Sequence, residues 1–329
     1  MDFLIAGKNR LETGFLRNYK SIDLEIGGRN DFELVFLKDE PLAGHINFGT
    51  YIFVPGTEYG GLIEDLEMSA KSNMIKWYGN IWRGILSQIV IEPDTDEEKI
   101  HLTGDANQII GNILKNKMGG LFRTPSYNSE INIDGTIDAY CNVLEGISEL
   151  LSEHNAKLHI HAEQGGTDGA FAVIVEAVPI KDYSEEIEYS EDGKINLSLR
   201  DFRRGINHLI CLGKDEEKNT ATVHLYAQLD GSIATKKYYE GLSERTAVYR
   251  DNNAQKVSAL IDNGKKKLRE LMNYKKLEMN VQDVDLSVGD IIAGRDRKMG
   301  IYLKKPVIQK IVSIRGRNEK IQYKVKGED

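Results

Sequence analysis

The stretch LSVGDIIAGRDRKMGIYLKKPVIQKIV, Leu286 to Val312, decides how the end of the chain folds. It begins with a tight turn at Val288, Gly289 and Asp290, and two apolar runs then flank the basic segment GRDRKMG, Gly294 to Gly300. Two β-prone runs joined by a loop that contains glycine are typical of a β-hairpin. We therefore predict a closing hairpin with these inward or sheet-packed positions: Ile291, Ile292, Val307, Ile308, Ile311 and Val312.

Strand patterns also fill the first hundred residues. They lie at Asp31 to Asp39, Gly49 to Gly56, Leu62 to Met68, Met74 to Gly79 and Gly84 to Ile91, and they are rich in β-branched and aromatic residues. Strands that follow one another through Gly and Asn turns are typical of a small barrel or sandwich. We predict a first β-barrel domain at residues 1-100, in which Trp77 and Trp82 anchor the core or an interface.

The hydrophobic period changes after the acidic run Glu92 to Lys99. Apolar residues recur at helical spacing from Asp105 to Met118, with Asp105 as the N-cap, and again from Thr136 to Asn155. The runs Lys157 to Glu163 and Phe171 to Val178 then predict a hairpin with a long loop. Residues 101-185 are therefore expected to form an α+β insertion domain.

The remaining part of the chain, 186-329, returns to strand patterns at Ile195 to Leu199 and His208 to Gly213. A helical pattern at 252-275 interrupts it. We predict a second β-barrel domain over 186-329. It contains a helical insertion, and the closing hairpin completes the barrel. The fold class expected for the whole chain is α+β and β-rich, with two small β-barrel tube domains, an α+β insertion and a helical segment.

Composition and charge exclude several classes of function. The net charge of −8 over 329 residues argues against a surface that binds nucleic acid, because such surfaces depend on clustered Lys and Arg. The N-terminus does not have the pattern of a signal peptide, and no apolar run approaches the roughly 20 residues of a membrane span. We expect a protein made in the cytoplasm, with no membrane anchor, whose cysteines Cys141 and Cys211 are reduced core residues.

Few residue patterns in the sequence point to chemistry. His159 and His161 alternate on one predicted strand, as metal ligands do, and Glu163 extends the alternation; a half-exposed polar strand face is the interpretation that we favour. A nucleophilic pair of Cys211 and His208 is disfavoured because Cys211 lies in an apolar strand. The pairs of adjacent glycines in the sequence lack the glycine spacing and the lysine of a phosphate-binding loop. We predict no catalytic residue, no cofactor and no metal.

Several segments carry a resemblance to a known family. They are DFELVF, YGGLIED (Tyr59 to Asp65), WRGILSQIVIEPD (Trp82 to Asp94) with the following HLTGDANQII, GINHLICLGK (Gly205 to Lys214) and the terminal VGDII. In this order the chain resembles the tail hub proteins of bacteriophages and phage-derived particles, in particular the Gp37-like tail protein family. The resemblance covers nearly the whole chain.

The resemblance implies a structural role with no enzymatic activity. Hubs of this kind form a homotrimeric ring of β-barrels that joins a six-fold tail tube or distal tail ring protein to a three-fold spike, fibre or tape-measure protein at the tail tip or baseplate. DNA then passes through the channel as cargo, and acidic side chains keep it from sticking. The protein would be part of a virion or a tail-like bacteriocin. Larger relatives continue into receptor-binding or wall-cleaving extensions, so we expect those activities in another polypeptide.

Two other functions stay open from the residues alone. One is a tail-tip cell-wall hydrolase, whose acids would lie between Glu163 and Asp182, and the other is a receptor-binding module. If the hub interpretation holds, the basic loop of the closing hairpin projects from a barrel rim. Arg295, Arg297 and Lys298 are therefore our candidates for contacts with the next ring or the spike.

Overall fold

The computed structural model describes residues 1–41, 46–93, 98–165, 169–184, 188–189, 195–214, 221–251, 256–281, 285–296 and 301–325. Packing of the backbone divides the chain into two units, Met1–Ile195 with Asn280–Lys324, and Asn196–Met279 with the chain from Val325. Strands predominate and helices are few, which confirms the predicted β-rich α+β class. The finer division at 1-100, 101-185 and 186-329 stays a prediction.

The first unit begins with strands and ends, before the second unit, in a mixed region. Its elements are β1 (Leu4–Ala6), β2 (Glu12–Phe15), β3 (Ser21–Ile26), β4 (Asp31–Leu37), β5 (Tyr51–Phe53), β6 (Gly60–Met68), β7 (Met74–Ile81), α1 (Trp82–Leu86), β8 (Lys99–Asp105), α2 (Ala106–Leu114), β9 (Phe122–Arg123), β10 (Asn132–Asp138), α3 (Val143–Glu153), β11 (Ala156–Glu163), β12 (Ala172–Pro179) and β13 (Glu188–Tyr189).

The second unit contributes six strands and one helix to the described part of the chain, and three strands of the first unit follow it. The elements are β14 (Ile195–Phe202), β15 (His208–Gly213), β16 (Ala221–Ala227), β17 (Ile233–Ala234), β18 (Thr246–Arg250), α4 (Val257–Leu271), β19 (Tyr274–Val281), β20 (Ile291–Asp296), β21 (Ile301–Arg315) and β22 (Asn318–Val325).

The main sheet of the first unit has the order β22-β21-β3-β4-β7-β6-β5-β1-β2, and β20 pairs with β21. The closing hairpin thus forms as predicted, and its completion of a second barrel stays a prediction. Its long strand β21 is antiparallel to β3 near the N-terminus, with Val312 opposite Leu24 and Ile311 opposite Glu25. The reason is burial: Leu24 and Val312 are both 1% exposed or less and fill one core.

Alternation along the strands decides which hairpin residues point inward. Ile292, Val307 and Val312 are buried as expected, whereas Ile308 is 42% exposed. Since neighbouring residues of a strand point to opposite faces, Val307 and Ile308 cannot both face the core. Of the inward or sheet-packed positions predicted, Ile308 is therefore one that does not face the core.

A second core of the first unit lies beside this sheet, where helices α2 and α3 pack on the sheet of order β11-β12-β9 and α1 contacts α3, β6 and β7. The segment expected as a strand over Gly84 to Ile91 begins instead within helix α1, all of whose residues are buried. Trp77 and Trp82 are 5% and 0% exposed, which confirms them as core residues. Asp105 caps α2 as predicted, because its side chain accepts hydrogen bonds from two backbone N–H groups of the first turn.

The second unit packs helix α4 on a small sheet of order β17-β16-β15-β18. Leu260 and Leu268 of the helix are fully buried against Leu209 and Leu225 of the strands. The close approach of α4 to the sheet depends on Gly264, because a Cβ atom there would lie 2.5 Å from the sulfur of Cys211.

Among the described residues, no helix combines the length and the apolar character that crossing a membrane requires.

Candidate functional site

The basic loop that supplied the predicted assembly contacts is only partly described. Arg297 and Lys298 lie outside the described residues. Arg295 lies in β20, where its backbone pairs with Tyr302 of β21, and its side chain also falls outside the description. The role of these three cations in assembly stays a prediction.

The VGD turn that precedes this hairpin is held in the first unit by a buried ion pair. The Lys157 ammonium donates to the Asp290 carboxylate at 2.5 Å, and both side chains are less than 10% exposed. The same carboxylate accepts from the backbone N–H of Ser287 at 2.8 Å and of Lys181 at 3.3 Å. This buried pair joins residues 133 positions apart, and nothing in the local sequence predicted it.

One edge of the main sheet presents a strand to solvent. Strand β2 ends the sheet order, its only strand partner among the described residues is β1, and all four of its residues are exposed. Phe15 is 50% exposed, and the Arg17 guanidinium lies 5.7 Å from its ring centre. An edge strand with unpaired backbone groups and an exposed aromatic ring is suited to pairing with another chain.

Two histidines and a glutamate come together on the β11-β12 hairpin. His159 and His161 lie on one face of β11, and Glu176 lies directly opposite His159 on β12. One nitrogen or oxygen of each residue can be chosen so that all three lie within 4.8 Å of one another. In the sequence Glu163 only extends the alternation of the two histidines; the structure brings Glu176 into the cluster, with Glu163 beside it at 3.4 Å from His161 Nε2.

The surroundings of this cluster leave one side open. The cluster borders a cleft of about 440 Å³, which is lined by Pro55, Gly56, His159, His161, Ala162, Glu163 and Gln164. Glu176 is 8% exposed, and its Oε2 accepts a hydrogen bond of 2.6 Å from the Tyr127 hydroxyl. Burial lowers the pKa of His159, and the neighbouring His161 lowers it further, so the neutral form of this imidazole is favoured.

The register of the β11-β12 hairpin could not be predicted from the sequence. A long loop joins its two strands, so the partner of His159 is not fixed by turn type. Apolar residues on both sides of Glu176, in the run Val173 to Val178, are the one signal that this carboxylate lies in a buried strand. His159 and His161 are partly exposed on their strand, whereas Glu176 on the facing strand is buried.

In the structure, Cys211 and His208 have different surroundings and do not act as a nucleophile and its base. Cys211 is fully buried beneath α4, and burial raises the pKa of its thiol. His208 Nδ1 instead contacts Glu244 at 3.0 Å, and its Nε2 lies 2.9 Å from His224 Nδ1. A buried thiol with a raised pKa is a poor nucleophile, in agreement with the sequence-based expectation.

The acids considered for a hydrolase also have other partners. Glu176 is hydrogen-bonded to Tyr127, and Asp182 binds the Lys304 ammonium at 2.5 Å. That contact, with hydrogen bonds from Ser184, lowers the pKa of Asp182 to about 2. A general acid must hold a proton near neutral pH, so Asp182 is unsuited to that role.

Comparison with known proteins identifies the fold. The chain matches a prophage tail protein, gp18, from Listeria monocytogenes with 10% identity and a TM-score of 0.50, over 98% of this chain and 94% of that one. It matches the 43 kDa tail protein of prophage MuSo2 from Shewanella oneidensis with 10% identity and a TM-score of 0.52, over 99% and 98%. No protein-family model matches the sequence, and no curated protein does so either. The chain therefore has the fold of prophage tail proteins.

Proposed function

We propose that this chain is a structural component of a phage tail or of a phage-tail-like particle, located at the tail tip or baseplate. The observation that carries the proposal is the shared fold, which extends over nearly the whole length of two prophage tail proteins. We infer a structural rather than an enzymatic role.

Within that role, three copies form a ring that joins a six-fold tail tube or distal tail ring to a three-fold spike or fibre. The β2 edge supports this arrangement, since it offers unpaired backbone groups and the half-exposed Phe15 to a second copy. The net charge of −8 supports a channel through which DNA passes without binding.

The oligomeric state of the purified chain tests the ring. We expect a trimer by native mass spectrometry, and we expect Phe15→Glu to shift the equilibrium toward monomer, because it places a charge on the proposed interface. Tyr140→Glu is the matched control, since Tyr140 is 68% exposed and belongs to the loop between β10 and α3. A chain that stays monomeric at every concentration would contradict self-assembly before attachment to a particle.

Two further measurements separate the tail role from its rivals. Mass spectrometry of purified particles from the producing bacterium should find the chain in the tail fraction; its absence there would contradict the tail role whatever its oligomeric state. Incubation with peptidoglycan should release no fragments, whereas release by the purified chain would favour the hydrolase.

A further inference from the structure

We propose that His159, His161 and Glu176 bind a late first-row divalent cation, with Zn²⁺ as the metal expected. The donor set carries the choice of metal. Two imidazoles and one carboxylate are ligands that Zn²⁺ accepts in proteins, whereas Ca²⁺ and Mg²⁺ prefer oxygen ligands alone. The proposal concerns this hairpin alone and does not depend on a role in tails.

The hairpin backbone places the three side chains on one face before any ion binds. His159 and His161 alternate along β11, and the register sets Glu176 opposite His159. Donor atoms within 4.8 Å of one another need only side-chain rotation to reach a common ion, because tetrahedral Zn²⁺ holds its ligands about 3.3 Å apart. No movement of either strand is required.

An unsatisfied nitrogen points to a ligand at this position. His161 Nδ1 is buried and has no hydrogen-bond partner, and the nearest Glu176 oxygen lies 4.0 Å away. Buried polar atoms without a partner are rare in folded proteins and call for an explanation such as an ion. A cation between His161 and Glu176 would satisfy this nitrogen and neutralise the buried carboxylate.

The environment of the cluster has two further properties of a metal site. Tyr127 donates to Glu176 at 2.6 Å, and such an outer hydrogen bond orients a ligating carboxylate. The cleft beside His159 and His161 gives an ion a path from solvent and leaves a fourth position for water, while Glu163 lies at the other ring nitrogen of His161, Nε2. The structure thus supplies three ligands, an oriented carboxylate and an entry path.

A titration of the full-length chain tests the site. After treatment with EDTA and desalting, the protein is titrated with CoCl₂, which reports coordination by visible absorption, and with ZnCl₂ by calorimetry. We expect one equivalent to bind and the thermal unfolding midpoint to rise with ZnCl₂ by roughly 5 °C. Glu176→Gln and His161→Gln should each weaken binding by at least about tenfold.

Matched variants separate this site from other metal-binding groups. His101→Ala removes an exposed histidine outside the cluster and should leave the affinity unchanged. Tyr127→Phe keeps all three ligands but loses the hydrogen bond to Glu176, so it should weaken binding by about tenfold while retaining the stoichiometry. Circular dichroism of each metal-free variant shows whether it is folded, and a variant that fails to fold is replaced by His159→Gln.

Two results would overturn the proposal. One is the absence of saturable Co²⁺ and Zn²⁺ binding to the wild-type chain. The other is equal affinity in the wild type, Glu176→Gln and His161→Gln, which would place the ion at other residues, for example at Cys141.

Discussion

Replacing Asp290 by asparagine tests whether the VGD turn holds the closing hairpin to the first unit. The substitution keeps the size of the side chain but removes the charge that faces Lys157, whose side chain is 9% exposed. Asparagine retains one carbonyl oxygen for the N–H groups of Ser287 and Lys181, where the carboxylate offers two. The main effect is therefore a buried ammonium without an anion.

The magnitude follows from the two ways in which the protein can respond. Removing one partner of a buried ion pair lowers the free energy of unfolding by about 3–5 kcal/mol. The alternative response is loss of the lysine proton, which at pH 7 costs about 5 kcal/mol, given an ordinary lysine pKa of about 10.4 and 1.36 kcal/mol per pH unit. This second figure is an upper limit, so we expect a loss of about 3–5 kcal/mol.

The loss of unfolding free energy in Asp290→Asn should be smaller at alkaline pH. Burial lowers the pKa of Lys157, and Asp290 opposes that shift, so the pKa falls further in Asp290→Asn. Arg83 and Lys181 also face this ammonium and act in the lowering direction. Between the lowered pKa and about 10.4 the unfolded chain binds more protons than the folded chain, so the stability of the variant rises with pH.

Tryptophan fluorescence in a urea titration is the appropriate assay. The chain has two tryptophans, Trp77 and Trp82, and both are buried in the first unit, so the signal reports on the unit that contains the pair. Asp182→Asn is the control, since it disrupts an exposed ion pair with Lys304 and should cost at most about 1 kcal/mol.

A double variant decides whether the unpaired lysine is the cause. Lys157→Met in the Asp290→Asn background replaces the charge by an apolar chain and should restore much of the stability. The reasoning would be refuted by an Asp290→Asn loss no larger than that of Asp182→Asn. It would also be refuted if the double variant were as unstable as Asp290→Asn alone.

Two further substitutions test packing and capping in the first unit. Gly60→Ala should lower the free energy of unfolding by about 1–3 kcal/mol, because the added Cβ would lie 2.6 Å from the Trp82 ring, and denaturant titration against the conservative surface variant Lys71→Arg measures it. Asp105→Ala should lower it by about 1–2 kcal/mol, since the side chain caps α2 and also accepts two hydrogen bonds from Ser129; a loss below a few tenths would contradict the cap.

Local patterns in the sequence were sufficient for many elements. The runs that predicted β4, β15 and the β11-β12 hairpin lie within a few residues of the observed strands, and Asp105 is the helix cap that its position indicated. Such features depend on side-chain alternation and on hydrogen bonds between near neighbours, so a short window of sequence contains them. The fold class and the resemblance to tail proteins followed from these local segments taken in order.

Boundaries failed where two periods meet. The predicted helix from Thr136 begins at Val143, because Asn132–Asp138 pairs as β10 with β8. The run from Gly84 was expected as a strand, yet it begins inside helix α1, and every residue of that helix is buried. Short apolar segments fit either state, and contacts with the rest of the protein decide between them.

Tertiary structure alone decided the partners across long separations. The pairing of β21 with β3, the ion pair of Lys157 with Asp290 and the approach of Glu176 to His161 join residues that no local pattern relates. The sequence determined which segments become strands, which faces are apolar and which side chains are available. The choice among possible strand partners depends instead on burying those faces together and on the entropy of closing the loops between them, and both are properties of the whole fold.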